Sequence, residues 1–343
     1  MTGPERPGRD PQHRVRSLRL SAGLTQAELA ERAGVSRQLV GTVEAGRHLP
    51  RVDAGLALAA ALDTDAGWLF GPQTPVLDVV SGLAPADGAL VRLGWVGEQM
   101  VTAPARIGSD GWHPADAVIE AGRAHRLGEA QSGVVVAGCE PGLETLEHLL
   151  RQGGVGAVAV SASSAGALAA LVGGRVHAAV VHGPPDSLPA VPDGLEVDRI
   201  RLTRWRVGLS LPPDVDVSWW QQVLDGDMPV VQREDGATVQ RAFEEAMAGS
   251  GPVPGPRVGG HVVAARHGSA AGIPAVTIEP AALAMGVGFH ALDHHEAQLW
   301  ISRRWILDRG VEQLLTAING SRFRQRLQAI GGYDLEGTGS RIP

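Results

Sequence analysis

Residues 23–47, GLTQAELAERAGVSRQLVGTVEAGR, constrain the fold more than any other part of the sequence. Thr25 is followed three residues later by Glu28, a capping box, so a helix is predicted to begin at Thr25. Gly34 supplies the left-handed conformation that ends this helix and permits a tight turn. Ser36 is the predicted N-cap of the next helix. The stretch therefore predicts two short helices that pack on each other across a turn of about three residues.

The second of these helices has a polar outer face. Its apolar positions, Val40 and Val43, face the first helix, which leaves Arg37, Gln38 and Thr42 pointing outward. Arg and Gln make paired hydrogen bonds to guanine and adenine edges in the DNA major groove. The alternative is a small helical bundle that carries arginine on its surface.

Residues 14–71 resemble the Cro and lambda-repressor type of DNA-binding domain, the XRE family. The resemblance rests on LTQAELA, the GVS turn, VEAGR and a later apolar helix ending in WLF. It implies that Gln26 clamps a phosphate and that Arg19 and Glu44 form an ion pair between the first helix and the recognition helix. The DNA-binding residues it implies are Gln26, Ser36, Arg37, Gln38, Thr42 and Arg47.

Charge is distributed unevenly along the chain. Residues 1–72 hold 9 Arg against 8 acidic residues, net +1, whereas residues 73–343 hold 21 Arg against 29 acidic residues, net −8. DNA phosphate repels the acidic part, so we expect DNA contacts only in the N-terminal part. A single cysteine excludes an internal disulfide, and no apolar run reaches about 18 residues. We therefore expect a cytoplasmic protein that makes no contact with a membrane.

Shifts in composition divide the chain into segments. The start is rich in Pro, Arg and Gly, and Gly71, Pro72 and Pro75 interrupt the chain after the helical part. LVRLGWVGEQMV predicts a hairpin around Gly97. The predicted segments are a disordered arm at 1–11, a helix-turn-helix domain at 12–72, a connecting layer at 73–130, an α/β domain at 131–335 and a flexible tail at 336–343.

The α/β segment alternates short apolar strands with helices. VVVAG, AVAVS and VHAAVVHG are each a strand in this pattern, which predicts a parallel sheet covered by helices on both faces. A crossing segment at 199–211 leads to a second lobe, in which residues 261–265 are a predicted strand and residues 238–247 a predicted helix.

Residues 133–335 resemble the periplasmic-binding-protein fold, and in particular its molybdate-binding-like branch that is fused to helix-turn-helix domains in bacterial regulators. VAGCEP, AGALAALVGG, RWRVGL, VVQRE and LQAIGGYD carry this resemblance. The predicted fold class is thus an all-α N-terminal helix-turn-helix domain followed by an α/β, two-lobed, periplasmic-binding-protein-like (type II) domain.

A ligand is expected beyond the carboxyl ends of the strands, where anions also favour helix N-termini. The predicted ligand-binding residues are Cys139, Glu140, Ser161, Ser163, Ser164, His182, Arg233, Thr238 and Thr277. In the family a Gly-Ser-Gly-Thr-Arg run cradles the oxyanion, but residues 236–240 read GATVQ here, and Glu140 adds a negative charge. Both differences argue against molybdate. The cleft takes another ligand, or it has lost binding and serves dimerisation or protein contacts.

Other residue clusters give weaker signals. His290, His294 and His295 are metal-ligand types, but they match a strand-connecting loop of the family, so no metal site and no cofactor is predicted. Cys139 with a distant His is a weak nucleophile pair, because no oxyanion or orienting residue can be assigned, so no catalytic residue is predicted. An enzyme acting in the cleft, whose turnover a Ser163 or Cys139 variant would abolish, is the least favoured class. The predicted function is a homodimeric, operator-binding transcription regulator, not an enzyme, with a small-molecule effector of unknown identity.

Overall fold

A computed structural model describes residues 11–64, 66–70, 76–108, 111–112, 114–120, 122–127 and 133–342. These residues form two compact units. The first comprises the described residues within Met1–Asp78, Leu83–Leu93 and Pro104–Ala130, and the second those within Val79–Gly82, Gly94–Ala103 and Gln131–Pro343. The predicted connecting layer, 73–130, is thus divided between the units. Ten residues of the predicted arm at 1–11 lie outside the described residues.

Five helices form the N-terminal domain of the first unit: α1 Pro11–Ser21, α2 Gln26–Ala33, α3 Arg37–Glu44, α4 Val52–Ala61 and α5 Ala66–Phe70. Their shared core contains Val15, Leu29, Val40, Leu58 and Leu69, which are all fully buried. The apolar residues Val15, Leu18 and Leu20 are the core positions that the sequence of the first helix predicts, and the prediction is wrong for Leu20, whose side chain is 58% exposed. Arg19 lies four residues after Val15 on the same face of α1 and takes the inward position.

Seven strands follow: β1 Leu77–Asp78, β2 Leu90–Val96, β3 Gln99–Pro104, β4 Ile107–Gly108, β5 Gly111–Trp112, β6 Ala117–Glu120 and β7 Arg123–Arg126. The predicted hairpin around Gly97 is confirmed, since β2 and β3 are neighbours and Gly97 has a φ of 60°. In the first unit, β6 pairs antiparallel with β7 and with the start of β2.

The second unit contains the strands β8 Gly133–Gly138, β9 Gly156–Ser161, β10 Ala178–Gly183, β11 Val197–Leu211, β12 Gln232–Arg233, β13 Arg257–Val258, β14 Ala275–Ile278, β15 Gly288–Ser302, β16 Tyr333–Asp334 and β17 Arg341–Ile342. Eight of them form one sheet in the order β14-β11-β15-β10-β8-β9, with β16 and β17 also paired to β11. The predicted parallel pairing holds for β8, β9 and β10. The strand β15, which that prediction did not include, runs antiparallel to both β10 and β11.

Eight α-helices cover these strands: α6 Gly142–Gln152, α7 Ser164–Val172, α8 Trp219–Leu224, α9 Thr238–Ala246, α10 His261–Ala271, α11 Glu279–Ala284, α12 Arg309–Asn319 and α13 Ser321–Ile330. A 3-10 turn spans Arg303–Trp305. The strand predicted at 261–265 is wrong, because these residues begin α10. Gly260, at φ 85°, precedes this helix and Gly272, at φ 67°, ends it. The adjacent Val262 and Val263 gave the misleading β signal.

The two longest strands, β11 and β15, connect two lobes. They pair from Val197↔Ser302 to Leu211↔Gly288, with register shifts between Arg201 and Thr203 and between Val207 and Gly208. The first lobe contains β8, β9 and β10 with α6 and α7, and the second contains β12 to β14 with α8 to α11. The carboxyl ends of β8 and β10 therefore lie at the edge of the sheet that faces the second lobe.

The end of the described chain is ordered. The prediction of a flexible tail at 336–343 is wrong, because β17 pairs with Arg199 and Ile200 of β11 and Thr338 Oγ1 donates a hydrogen bond to the Leu202 carbonyl at 2.9 Å. In the described part of the chain, no helix combines the length and the apolar character needed to span a bilayer.

Candidate functional site

The turn between α2 and α3 has the geometry that its sequence predicts. Thr25 Oγ1 accepts a hydrogen bond from the Glu28 amide, and the Glu28 carboxylate accepts one from the Thr25 amide at 2.7 Å. Gly34 is left-handed at φ 63°, and Ser36 Oγ accepts a hydrogen bond from the Leu39 amide at 3.1 Å. Both predicted N-caps are confirmed.

A buried ion pair joins α1 to α3, as the resemblance implied. Arg19 Nε donates to Glu44 Oε1 at 2.6 Å, and Gln26 Nε2 donates to Glu44 Oε2 at 2.8 Å. Burial alone would raise the pKa of Glu44, but the hydrogen bonds from Arg19 and Gln26 outweigh it and lower that pKa. The charged Glu44 orients Gln26 at the start of α2.

The predicted DNA-contacting residues lie on α3 or beside it. Ser36, Arg37, Gln38 and Arg47 are exposed. Thr42 is half-buried, and its hydroxyl donates to the Leu39 carbonyl at 2.9 Å, so it can only accept from an outside group. The described structure thus groups these side chains around the exposed face of one helix, and their contacts with DNA remain predictions.

Most of the predicted ligand residues surround one cavity in the second unit. Its lining includes Cys139, Ser163, Ser164, His182, Arg233 and Thr238 from the prediction, together with Glu234, Gly236, Ala237, Val239 and His261. The internal space is only about 10 Å³, which is about the room of one water molecule. The sequence does not single out His261, because residues 261–265 predict a strand where α10 begins.

Arg233 is fully buried and already paired. Its Nε and Nη2 donate to the two carboxylate oxygens of Glu234 at 2.9 and 2.8 Å, and its Nη1 lies 2.7 Å from His261 Nδ1. Burial alone would lower the pKa of Arg233, but the Glu234 hydrogen bonds outweigh it and raise that pKa. An anion that binds Arg233 must therefore displace the Glu234 carboxylate, whose side chain is 36% exposed.

Three buried histidines meet beside this cavity around Trp205. His182 Nδ1 lies 3.3 Å from His295 Nδ1 and 3.1 Å from Thr238 Oγ1, and the rings of His182 and His261 are 5.8 Å apart. Burial lowers the pKa of His182 to about 3 and that of His295 to about 4, and it holds the pKa of His261 well below its usual range. The three imidazoles are therefore neutral at neutral pH.

Three of the predicted ligand residues do not line the cavity. Ser161 is exposed, and Thr277 is fully buried, with its hydroxyl donating to the His261 carbonyl at 2.8 Å. The Glu140 carboxylate is buried and faces four donors instead: the Thr203 hydroxyl at 2.7 Å, Trp205 Nε1 at 2.7 Å, the Tyr333 hydroxyl at 3.0 Å and the Gly142 amide at 2.7 Å. These four donors stabilise the carboxylate, which is not among the residues that line the cavity.

The FHALDHHE segment is not the connecting loop that was expected. It lies within β15, so His290, His294 and His295 occupy three different environments. His290 packs against the rings of Trp219 and Trp220 at 5.2 Å, His294 is exposed, and only His295 reaches the cavity cluster. The three histidines do not form one site.

Comparison with known proteins assigns both parts of the chain. A helix-turn-helix domain family matches residues 13–67, and the PBP superfamily domain matches residues 146–319. An uncharacterized HTH-type transcriptional regulator from Methanothermobacter thermautotrophicus is 46% identical over 48 residues, which is 14% of this chain and 70% of that relative. The chain belongs to the PBP superfamily and carries, at its N-terminal end, the DNA-binding domain of HTH-type transcriptional regulators.

Solved structures resemble the two parts separately. The restriction-modification controller protein C.AhdI from Aeromonas hydrophila is 40% identical and covers 18% of this chain and 91% of its own, with a TM-score of 0.17. A putative phosphate ABC transporter substrate-binding protein from Clostridium perfringens is 13% identical and covers 58% of this chain and 98% of its own, with a TM-score of 0.45.

Proposed function

We propose that this regulator reads a specific operator as a homodimer and that its two-lobed domain binds a small effector in the cleft. The observation that supports the DNA-reading role most directly is α3, whose outer face exposes Arg37 and Gln38 while Ser36 caps its start. Glu44, at the end of α3, is held by Arg19 and Gln26. A recognition helix fixed in this way presents its side chains to the major groove with little loss of freedom.

Dimerisation follows from the small size of the helix-turn-helix domain, residues 12–72, which is called the reader below. A single helix-turn-helix buries little surface on DNA, so specific binding uses two half-sites about 34–36 Å apart, read by a symmetric pair. The N-terminal 72 residues carry net +1, so bulk charge adds little to the affinity for DNA. Base contacts and the spacing of two copies must therefore supply the specificity, and such a protein acts in the cytoplasm, where the DNA is.

A regulatory role for the cleft is favoured over catalysis. Ser163 Oγ accepts a hydrogen bond from the Gly166 amide as the N-cap of α7, and burial raises the pKa of the Cys139 thiol. Neither side chain is an activated nucleophile. We therefore propose a sensor, not an enzyme, with a vestigial domain that serves dimerisation or protein contacts as the alternative.

The test of the DNA-reading role is Arg37→Ala. We expect it to weaken binding to a site selected from random-sequence DNA by about 1–3 kcal/mol, the value of one bidentate base contact. Arg51→Ala is the matched control, because Arg51 is also exposed but lies before α4. Fluorescence anisotropy on selected and scrambled DNA measures the effect. Equal affinity of Arg37→Ala and the unchanged protein for the selected site would refute the assignment.

The test of the sensor role measures DNA affinity and mass in solution across a panel of metabolites, oxyanions and metal ions. A dimer whose DNA affinity changes with one compound supports the proposal. A DNA affinity that no compound changes favours the vestigial alternative.

A further inference from the structure

The cavity of the second unit brings together three side chains with the donor atoms of a metal site. Cys139, His182 and His261 are buried, and each offers one ligand atom within 4.8 Å of the other two. They come from three separate segments: the end of β8, the end of β10 and the start of α10. We propose that the cleft binds a thiophilic metal ion, of which Zn²⁺ is the representative, through Cys139, His182 and His261. This inference specifies the effector of the proposed function and therefore rests on it.

The donor set selects the class of ion. A thiolate with two imidazoles suits zinc and monovalent copper, whereas magnesium and calcium prefer oxygen ligands. Imidazole binds a metal through the lone pair of one ring nitrogen, and His182 and His261 each offer one such atom to the site. Three protein ligands would also leave one tetrahedral position for a water molecule or another small ligand.

His182 is oriented by neighbours in the way that a metal-binding histidine requires. His295 Nδ1 lies 3.3 Å from His182 Nδ1, and His295 Nε2 lies 3.6 Å from Asp293 Oδ2. With the His295 proton on Nε2, toward Asp293, its Nδ1 accepts the proton of His182 Nδ1. This assignment of protons leaves the lone pair of His182 on Nε2, which lies 3.5 Å from Thr238 Oγ1. Such an outer partner fixes the tautomer of a ligand histidine and raises its basicity.

His261 contributes the third donor and an unsatisfied atom. Its Nε2 is buried and has no hydrogen-bond partner among the described residues. Buried polar nitrogens without a partner are rare, and a bound ion is one recognised cause. The other nitrogen, Nδ1, faces Arg233 Nη1 at 2.7 Å, which puts the ring proton on Nε2. A metal at Nε2 thus requires Arg233 to release Nδ1.

Arg233 is consequently a competitor of the metal. Its Nη2 also lies 3.8 Å from Cys139 Sγ, so one guanidinium contacts two of the three donors. Glu234 compensates the charge of Arg233 by the two hydrogen bonds described above. Metal binding at Cys139 and His261 therefore requires the Arg233 guanidinium to leave these two donor atoms. Removal of the arginine charge should therefore strengthen metal binding.

The position of the site explains how a metal would act as an effector. Cys139 and His182 belong to the first lobe, and His261 belongs to the second. Coordination by all three would hold the two lobes together. A ligand that binds one arrangement of the lobes better than another shifts the population toward it, which is the requirement for control of the reader.

The experiment is a Zn²⁺ titration of the full chain against a chromophoric chelator. We expect one ion per chain, a loss of more than about tenfold in affinity for Cys139→Ser, and a gain for Arg233→Met. His294→Ala is the matched control, because His294 is exposed on β15 outside the cluster, and its affinity should not change. Mg²⁺ should not compete. Equal Zn²⁺ affinity of Cys139→Ser and the unchanged protein would overturn the proposal.

A second measurement keeps the test independent of variants that fail to fold. Co²⁺ added to the unchanged protein should give a thiolate-to-cobalt charge-transfer band, and its absence at saturating Co²⁺ would also overturn the proposal. DNA binding is measured in the same samples. If zinc does not bind but DNA binding still depends on Arg37, the metal proposal fails and the reader stands. If DNA binding does not depend on Arg37, the proposed reader fails.

Discussion

Replacement of Glu140 by Gln tests whether this carboxylate is a structural centre of the second unit. Oε1 accepts hydrogen bonds from the Tyr333 hydroxyl and the Gly142 amide, and Oε2 accepts them from the Thr203 hydroxyl and Trp205 Nε1. A Gln side chain keeps one oxygen and presents an NH₂ group to the other pair of donors. The hydroxyl in that pair can rotate and accept, whereas the N–H group cannot.

Either orientation of the new amide thus leaves one buried N–H without an acceptor. An orphaned buried donor costs about 1–3 kcal/mol, so we expect Glu140→Gln to lower the free energy of unfolding of the second unit by that amount. Glu140→Ala leaves both N–H groups and both hydroxyls without their acceptor, and should lower the free energy of unfolding by about 3–5 kcal/mol.

Denaturant unfolding of the full chain, followed by calorimetry that separates the transitions of the two units, measures the effect. Glu312→Gln is the control, because Glu312 is exposed on α12. DNA affinity should stay unchanged in all three variants when they are folded. A loss below about 0.5 kcal/mol for Glu140→Gln, within the range of ordinary surface changes, would refute the hydrogen-bond argument.

Three further predictions concern pH, a helix cap and a glycine. His182 and His295 have pKa values of about 3 and 4 in the folded chain against an ordinary 6.5, so the unfolded chain binds more protons and stability falls as the pH drops below 6.5. The loss is up to about 2 kcal/mol per histidine at pH 5, and equal denaturation midpoints at pH 7 and pH 5 would contradict it. Ser36→Ala should cost the first unit about 1 kcal/mol, as measured by its thermal transition, and Ser36→Gly much less. Gly133→Ala should prevent folding of the second unit, because its Cβ would lie 1.5 Å from a carbonyl oxygen of the adjacent strand. Gly251→Ala is the control, because its Cβ would meet no atom within 4 Å. Circular dichroism compares the folding of the two variants, and Gly251→Ala should be neutral.

The local signals of the N-terminal domain were legible in the sequence. The Thr25 box, the Gly34 turn and the Ser36 cap each depend on residues three or four positions apart, so the pattern contains the whole interaction. The Arg19–Glu44 pair spans 25 positions, and only resemblance to a family placed it. Hydrophobicity alone places Leu20 in the core of α1, and this is wrong. Arg19 takes the inward position instead, because Glu44 and the Leu24 carbonyl accept hydrogen bonds from its guanidinium.

The location of the cleft could be predicted from the sequence, but the contacts between its side chains could not. Strand ends in a parallel arrangement meet at one edge, so Cys139, His182 and Arg233 were expected to lie together. Which way each side chain points depends on strand register and lobe packing, and these are not local. Glu140 therefore turned toward Trp205 and away from the cavity, and His261 entered it unexpectedly. Arg233 and Glu234 are adjacent in the sequence, but no sequence pattern shows that their side chains pair. The Glu234 carboxylate thereby binds the guanidinium of Arg233, which is the only arginine among the described residues that line the cavity.

The pairing of β11 has a consequence for the order in which the chain acquires its structure. The first residues of β11 pair with β17. The strand β15, which pairs with β11, also pairs with β10, where Val180 is opposite Leu299. Contacts so distant in sequence must wait for loop closure and slow the folding rate, whereas the five-helix domain folds through contacts between near neighbours. During synthesis the helix-turn-helix domain should therefore be native while the sheet of the second unit is still open, with unpaired strand edges. Chaperone dependence and aggregation are thus expected to arise from residues after 130, and a protein shortened before Arg341 should retain its reader but accumulate poorly.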